Sequence, residues 1–91
     1  MDYAKELYQN KIMFFGFMKE KYPLFYKSNI FFRDTQYSVM RYFEKKNIKI
    51  KYAQAEKITT ELFDMLVKDE SLIKLDNKSF KVNFLTENEV S

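Results

Sequence analysis

Lysine is the side chain whose spacing points most directly to a chemistry in this sequence. Lys45, Lys46, Lys49 and Lys51 lie close together. Each ammonium group can neutralise one phosphate and release a counterion, which is how proteins bind nucleic-acid backbones without reading bases. Residues 21–52 hold 8 of the 16 Lys and Arg residues but only 2 of the 13 Asp and Glu residues. The cluster predicts a phosphate-binding surface, although a solvated turn in a soluble chain of net charge +3 has the same pattern.

The sequence lacks the residue types that form most catalytic and metal sites. The sequence has no Cys and no His, so it lacks disulfides, zinc-finger ligands and the usual proton-transfer group near neutral pH. One Gly and one Pro do not make a glycine-rich phosphate loop. Asp69 and Glu70 adjoin at a predicted helix end, which is typical of a polar terminus, and the DNKS segment offers calcium only one carboxylate. We therefore predict no enzymatic activity, no cofactor and no metal.

Three helices are predicted from the spacing of apolar residues. Asp2 can cap the first, within residues 1–21, before Pro23 stops it. A second is predicted over 34–46 and a third, amphipathic over about four turns, over 53–69. The helices would supply most of the apolar core.

The boundaries around the second helix leave alternatives open. Asp34 is one candidate cap for its start and Asn29 is the other. After it, NIKIKY at residues 47–52 alternates apolar and lysine side chains, which suits either a short strand or an extended turn.

A β-hairpin is predicted over residues 72–85, followed by a frayed acidic tail at 86–91. A four-residue DNKS turn would pair Leu75 with Phe80, and one face would then carry Ile73, Leu75, Phe80, Val82 and Phe84. In this register Lys74 and Lys81 lie opposite each other and face outward, with Lys78 at the tip. Such lysines suit phosphate contact, and they equally suit protection of a sheet edge.

Together these elements predict a single α+β domain over 1–91 with three helices and a C-terminal β-hairpin. The order helix, connector, helix, short turn, helix, hairpin resembles the winged helix-turn-helix superfamily over about residues 34–85. The segment LVKDESLIKLDNKSFKVNF carries the resemblance. What the resemblance implies is a DNA-reading helix with a wing on the phosphates, although many winged helices bind only proteins.

The predicted nucleic-acid site is basic, and the carboxylates of the third helix work against it. Glu56, Glu61 and Asp64 would meet a strongly negative groove, so we expect weak or non-specific DNA binding at most. The proposed phosphate-binding residues are Lys45, Lys46, Lys49, Lys51, Lys57, Lys74, Lys78 and Lys81.

The abundance of aromatic residues supports a second hypothesis, a protein interface. The chain has 10 Phe and 7 Tyr, more than a core of this size is expected to hide. A homodimer through the first helix, or a protein partner, would cover the rest, unless these rings simply wrap a crowded core. The longest apolar run, residues 12–18, is too short to span a membrane, and we expect a cytoplasmic protein. The candidate interface residues are Tyr3, Tyr8, Phe14, Phe17, Tyr22, Phe25 and Tyr26.

Overall fold

The computed structural model describes residues 2–22, 24 and 27–83, and over these residues the chain is α+β. The three strands form one antiparallel sheet in the order β1-β3-β2. The predicted class is confirmed, but the described part has four helices and three strands where three helices and a two-stranded hairpin were expected. The helices are α1 (Tyr3–Gln9), α2 (Lys11–Lys19), α3 (Phe32–Glu44) and α4 (Tyr52–Lys68), and the strands are β1 (Asn29–Phe31), β2 (Leu72–Lys74) and β3 (Ser79–Val82).

The predicted N-terminal helix is two helices that meet at Asn10. Asp2 caps α1 as expected, because its side chain accepts a hydrogen bond from the Lys5 backbone N–H at 3.0 Å. At Asn10 the side-chain amide donates to the Glu6 carbonyl at 2.9 Å, and the backbone leaves helical geometry. A short amide side chain that competes for backbone partners in this way interrupts a helix. Pro23, the predicted stop, lies outside the described residues, and α2 already ends at Lys19.

The strand β1 is the element that the sequence analysis missed. Asn29, the alternative start for the second helix, lies instead in extended backbone opposite Lys81. The helix α3 begins at Phe32, two residues before the predicted cap Asp34, which sits in its first turn. The Phe32 backbone N–H donates to the Lys78 carbonyl at 2.9 Å, so the hairpin fixes where α3 starts. Three residues are too few for a period-2 pattern to be visible.

The segment between α3 and α4 is a turn without strand pairing, which was the second of its two predicted alternatives. Asn47 adopts a left-handed φ of 62°, a conformation that Asn tolerates better than most residues. Ile50 is buried and anchors the turn on the core. The helix α4 then starts and ends one residue before its predicted limits of 53 and 69, and its predicted apolar stripe is buried at Ala55, Ile58, Leu62 and Leu66.

The predicted hairpin exists, but its register differs by one residue. Lys74, and not Leu75, pairs with Phe80, and Leu72 pairs with Val82. Residue Asp76 explains the shift, because its side chain accepts hydrogen bonds from the backbone N–H groups of Lys78 at 2.7 Å and Ser79 at 2.8 Å and so shapes the loop between the strands. Since strand side chains alternate, the shift turns Ile73 and Leu75 outward and buries Leu72. Phe84 and the predicted tail lie outside the described residues.

The core lies between the helices and the inner face of the sheet. Phe63 on α4 joins the two layers, since its ring centre is 4.6 Å from that of Phe80 on β3 and 5.7 Å from that of Phe32 on α3. Edge-to-face rings at these distances add stabilisation beyond their buried area. The largest fully buried side chains include Leu7, Phe14, Phe15, Met18, Val39, Phe43, Leu62, Leu66, Leu72 and Val82.

Candidate nucleic-acid interface

The lysines of the α3–α4 turn are exposed but do not converge on one point. The ammonium nitrogen of Lys45 lies 4.8 Å from the ring centre of Phe17 on α2. That of Lys46 lies 3.8 Å from a Glu6 carboxylate oxygen on α1 and 4.7 Å from the centre of the Tyr42 ring. Both therefore contact the N-terminal helices. Lys49 and Lys51 are exposed on either side of the buried Ile50.

The outward face of α4 carries more negative than positive charge in its first four turns. Lys57 lines a shallow cleft beside Asp2 and Glu61, so two carboxylates adjoin it. Glu56 and Asp64 are also exposed on this helix. A nucleic-acid groove is strongly negative, and this face would be repelled from it. The carboxylates on which the sequence-based objection to base reading by α4 rests are thus exposed in the folded chain.

The hairpin lysines do not form the opposed outward pair that was predicted. In the observed register Lys81 lies opposite Ile73 on the outer face of the sheet, whereas Lys74 lies on the other face opposite Phe80. The expectation that Lys74 and Lys81 face each other is wrong, because the Asp76 loop shifts the register. Lys78 is exposed in that loop, and its carbonyl bond to Phe32 places the hairpin loop beside the start of α3.

Of the seven residues of the predicted aromatic interface, one is buried in the core and four are half-buried against it. Phe14 is fully buried, which contradicts its assignment to an exposed surface, because its ring packs edge-on against Tyr42. Four more of these residues are half-buried against the same core and expose little of their surface: Tyr3, Tyr8, Phe17 and Tyr22. Phe25 and Tyr26 lie outside the described residues. The apolar side chains that α2 does expose are Ile12 and Met13.

A polar network fastens the N-terminal helices to the end of α4. The Tyr8 hydroxyl donates to Asp69, and the Lys11 ammonium lies 3.4 Å from the same carboxylate and 3.1 Å from the Ser71 hydroxyl. Partial burial acts to raise the pKa of Asp69, but the hydrogen bonds from Tyr8 and Ser71, with the Lys11 charge, outweigh it and lower the pKa to about 2. These contacts give Asp69 a structural role at this helix end.

This lowered pKa predicts acid sensitivity. The unfolded chain, with the Asp69 pKa near 3.8, binds more protons than the folded chain between about pH 4 and 2, so stability falls as the pH drops through that range. We expect Asp69→Asn to reduce the free energy of unfolding above about pH 4, and its deficit relative to the wild type to shrink toward about pH 2. Urea unfolding at several pH values measures this. Asp64→Asn, on an exposed carboxylate of α4, is the matched control, and an Asp69→Asn deficit that stays constant with pH would contradict the assignment.

One exposed cluster had no counterpart in the sequence analysis. The guanidinium carbon of Arg33 lies 5.8 Å from the ring centre of Tyr37, and the ring centres of Tyr37 and Tyr52 are 5.8 Å apart. The side-chain hydrogen bond with Tyr37 raises the pKa of Arg33. We call these three residues the tyrosine cluster. The four-residue spacing of Arg33 and Tyr37 was a usable signal, but the approach of Tyr52 from α4 was not visible in the sequence.

Comparison of the chain with protein-family models, with curated proteins and with solved structures found no match. Among the helices of the described residues, none combines the length and apolar character needed to cross a membrane. The same residues contain no group of three or more carboxylates arranged to hold a metal ion.

Proposed function

We propose that this chain is a non-enzymatic nucleic-acid-binding module of the winged-helix type, which contacts the phosphate backbone weakly and without sequence preference. The observation that carries the proposal is the placement of the hairpin. Its loop is hydrogen-bonded to the first residue of α3 through Lys78 and Phe32, and α3 leads at its other end into the lysine-bearing α3–α4 turn. The order of α2, α3, α4 and the hairpin is the order on which the resemblance rests.

The charges of this unit favour backbone contact over base reading. Lys49, Lys51, Lys74 and Lys78 are all exposed, and each can neutralise a phosphate. The acidic outward face of α4 disfavours deep entry into a groove. Phosphate contacts set affinity and not sequence preference, so the expected binding is uniform across sequences and sensitive to salt.

The test is titration of a fluorescent DNA duplex by anisotropy at two salt concentrations. Four phosphate contacts give a loss of about 100-fold in affinity between about 50 mM and about 200 mM salt. Lys49→Gln/Lys51→Gln should lower the salt slope by about 2, since two contacts are removed. The control variant Lys5→Gln/Lys21→Gln removes two exposed lysines outside the proposed site, and it should lower the salt slope less than Lys49→Gln/Lys51→Gln does. Absence of binding to both this duplex and a single strand of the same length at the lower salt concentration would refute the proposal.

A second candidate function, association with another copy or another protein, is favoured by the surface of α2. Met13 is 65% exposed and Ile12 is 45% exposed. At Gly16, one turn after Ile12, a Cβ would have no described atom within 4 Å apart from its chain neighbours and the backbone of its own helix. Such a surface allows close approach of a second helix. A sedimentation mass that rises above 11.1 kDa with concentration and falls back in Met13→Lys would support association.

A further inference from the structure

The tyrosine cluster places two exposed rings and a cation on two helices that pack against each other. Arg33 and Tyr37 lie one turn apart on the outward face of α3, and Tyr52 is the first residue of α4. The Tyr37 and Tyr52 rings are inclined by 58°, and their residues are 37% and 48% exposed. Gln36 donates from its side chain to the Tyr52 carbonyl at 3.2 Å and fixes the two helices to each other. The rings are therefore held in place by the fold while part of their surface faces solvent.

Holding the rings in place favours binding. A tyrosine side chain has few rotatable bonds, and a ring already held by neighbours loses less conformational freedom when a ligand covers it. The Arg33 guanidinium is similarly held over Tyr37. An aromatic face with a fixed guanidinium is suited to a planar, electron-rich ligand beside an anion.

Two lysines are connected to the cluster through the chain or a backbone hydrogen bond. Lys51 precedes Tyr52 in the chain, and Lys78 lies in the hairpin loop bonded to Phe32, the neighbour of Arg33. Against Arg33 and these two lysines stand two carboxylates, Asp34 beside Arg33 and Glu56 one turn after Tyr52. The basic residues of this surface can attract a polyanion. Attraction of charge alone gives no role to the exposed rings.

We infer that Arg33, Tyr37 and Tyr52 form a stacking site for unpaired bases of a single-stranded nucleic acid, with Lys51 and Lys78 on its phosphates. This inference rests on the proposed function and names the form of nucleic acid. Bases in a duplex hide their faces in the stack, whereas a single strand can offer them to aromatic side chains without sequence preference. The acidic face of α4 argues in the same direction, because it opposes entry into a duplex groove.

The experiment compares three fluorescent ligands by anisotropy at about 50 mM salt: a thymidine oligonucleotide, an abasic strand of the same length, and a duplex. We expect the thymidine strand to bind about 10-fold more tightly than the abasic strand, because stacking of even one base contributes that much. Tyr37→Leu/Tyr52→Leu should remove this difference, and Tyr37→Phe/Tyr52→Phe should keep it, since the rings remain. A polyglutamate of matched charge tests for an acidic protein partner.

The outcomes separate the inference from the proposed function. Equal binding of the thymidine and abasic strands, or equal affinity of the leucine and phenylalanine variants, overturns the stacking site and leaves phosphate binding intact. Polyglutamate that binds as tightly as the thymidine strand also overturns the site. No binding of any nucleic acid defeats both. If the leucine variant does not fold, the wild-type chain is photo-cross-linked to a single strand that carries bromouracil. Adducts are expected at Tyr37 or Tyr52. Adducts only at other residues would contradict the site.

Discussion

Phe63→Ala is expected to remove about 3–5 kcal/mol of unfolding free energy, the range for a buried phenylalanine replaced by alanine. Phe63 is 3% exposed, and its ring contacts those of Phe32 and Phe80. Removing the Phe63 ring opens a cavity at the place where α3, α4 and β3 meet. Domains of this size are stable by about 5–15 kcal/mol, so the variant should lose a large part of its stability. A fall in melting temperature of more than about 12 °C would accompany this loss.

The neighbouring variant Asp64→Ala is the control for Phe63→Ala. Asp64 follows Phe63 on α4 but is exposed, so its replacement should change stability by less than about 0.5 kcal/mol. Chemical denaturation followed by circular dichroism measures both. If Phe63→Ala cost under about 1 kcal/mol, the sheet would not pack on the helices as described.

The second large effect is expected at Leu72, next to a residue that should tolerate the same change. Leu72 is 1% exposed and pairs with Val82 inside the sheet, so Leu72→Ala should cost about 2–5 kcal/mol. Ile73 lies on the outer face and is 43% exposed, so Ile73→Ala should cost less than about 1 kcal/mol. The same denaturation measurement compares the two.

This pair of variants decides the hairpin register. If Leu75 paired with Phe80, Ile73 would be the inward residue and Leu72 the outward one, and the order of the two losses would be reversed. The observed register depends on the loop that Asp76 organises. A larger loss at Ile73 than at Leu72 would therefore contradict the pairing of Lys74 with Phe80.

The elements that could be predicted from the sequence are those with long repeats. The helix α4 repeats its apolar positions over four turns, and its limits were predicted to within one residue. The strand β1 has three residues, and only its pairing with β3 makes it a strand. The hairpin register depends on hydrogen bonds that the Asp76 carboxylate accepts from backbone N–H groups, which a hydrophobic pattern does not encode. Where the structure differs from the prediction, it is determined by contacts between residues far apart in the chain or by hydrogen bonds of polar side chains, and not by local periodicity.

The candidate site was predictable to a smaller extent. The exposure of lysines in the α3–α4 turn could be predicted from their charge. The sequence did not show that the Lys45 and Lys46 side chains extend toward Phe17 and Glu6 of the N-terminal helices. Among the aromatic residues assigned to an interface, Phe14 is buried in the core and four others are half-buried against it, because composition counts rings and does not place them. Tyr37 and Tyr52 come together only through the packing of α3 against α4.

The position of β3 in the middle of the sheet has a consequence for biosynthesis. β1 is made about 50 residues before its partner and β2 only a few residues before it, and neither can pair until β3 has left the ribosome. Contacts so distant along the chain are slow to form, and synthesis proceeds from the N-terminus. The helices can thus associate before β3 is available, and until then the edges of β1 and β2 have no strand to pair with and the Phe63 ring lacks its contact with Phe80.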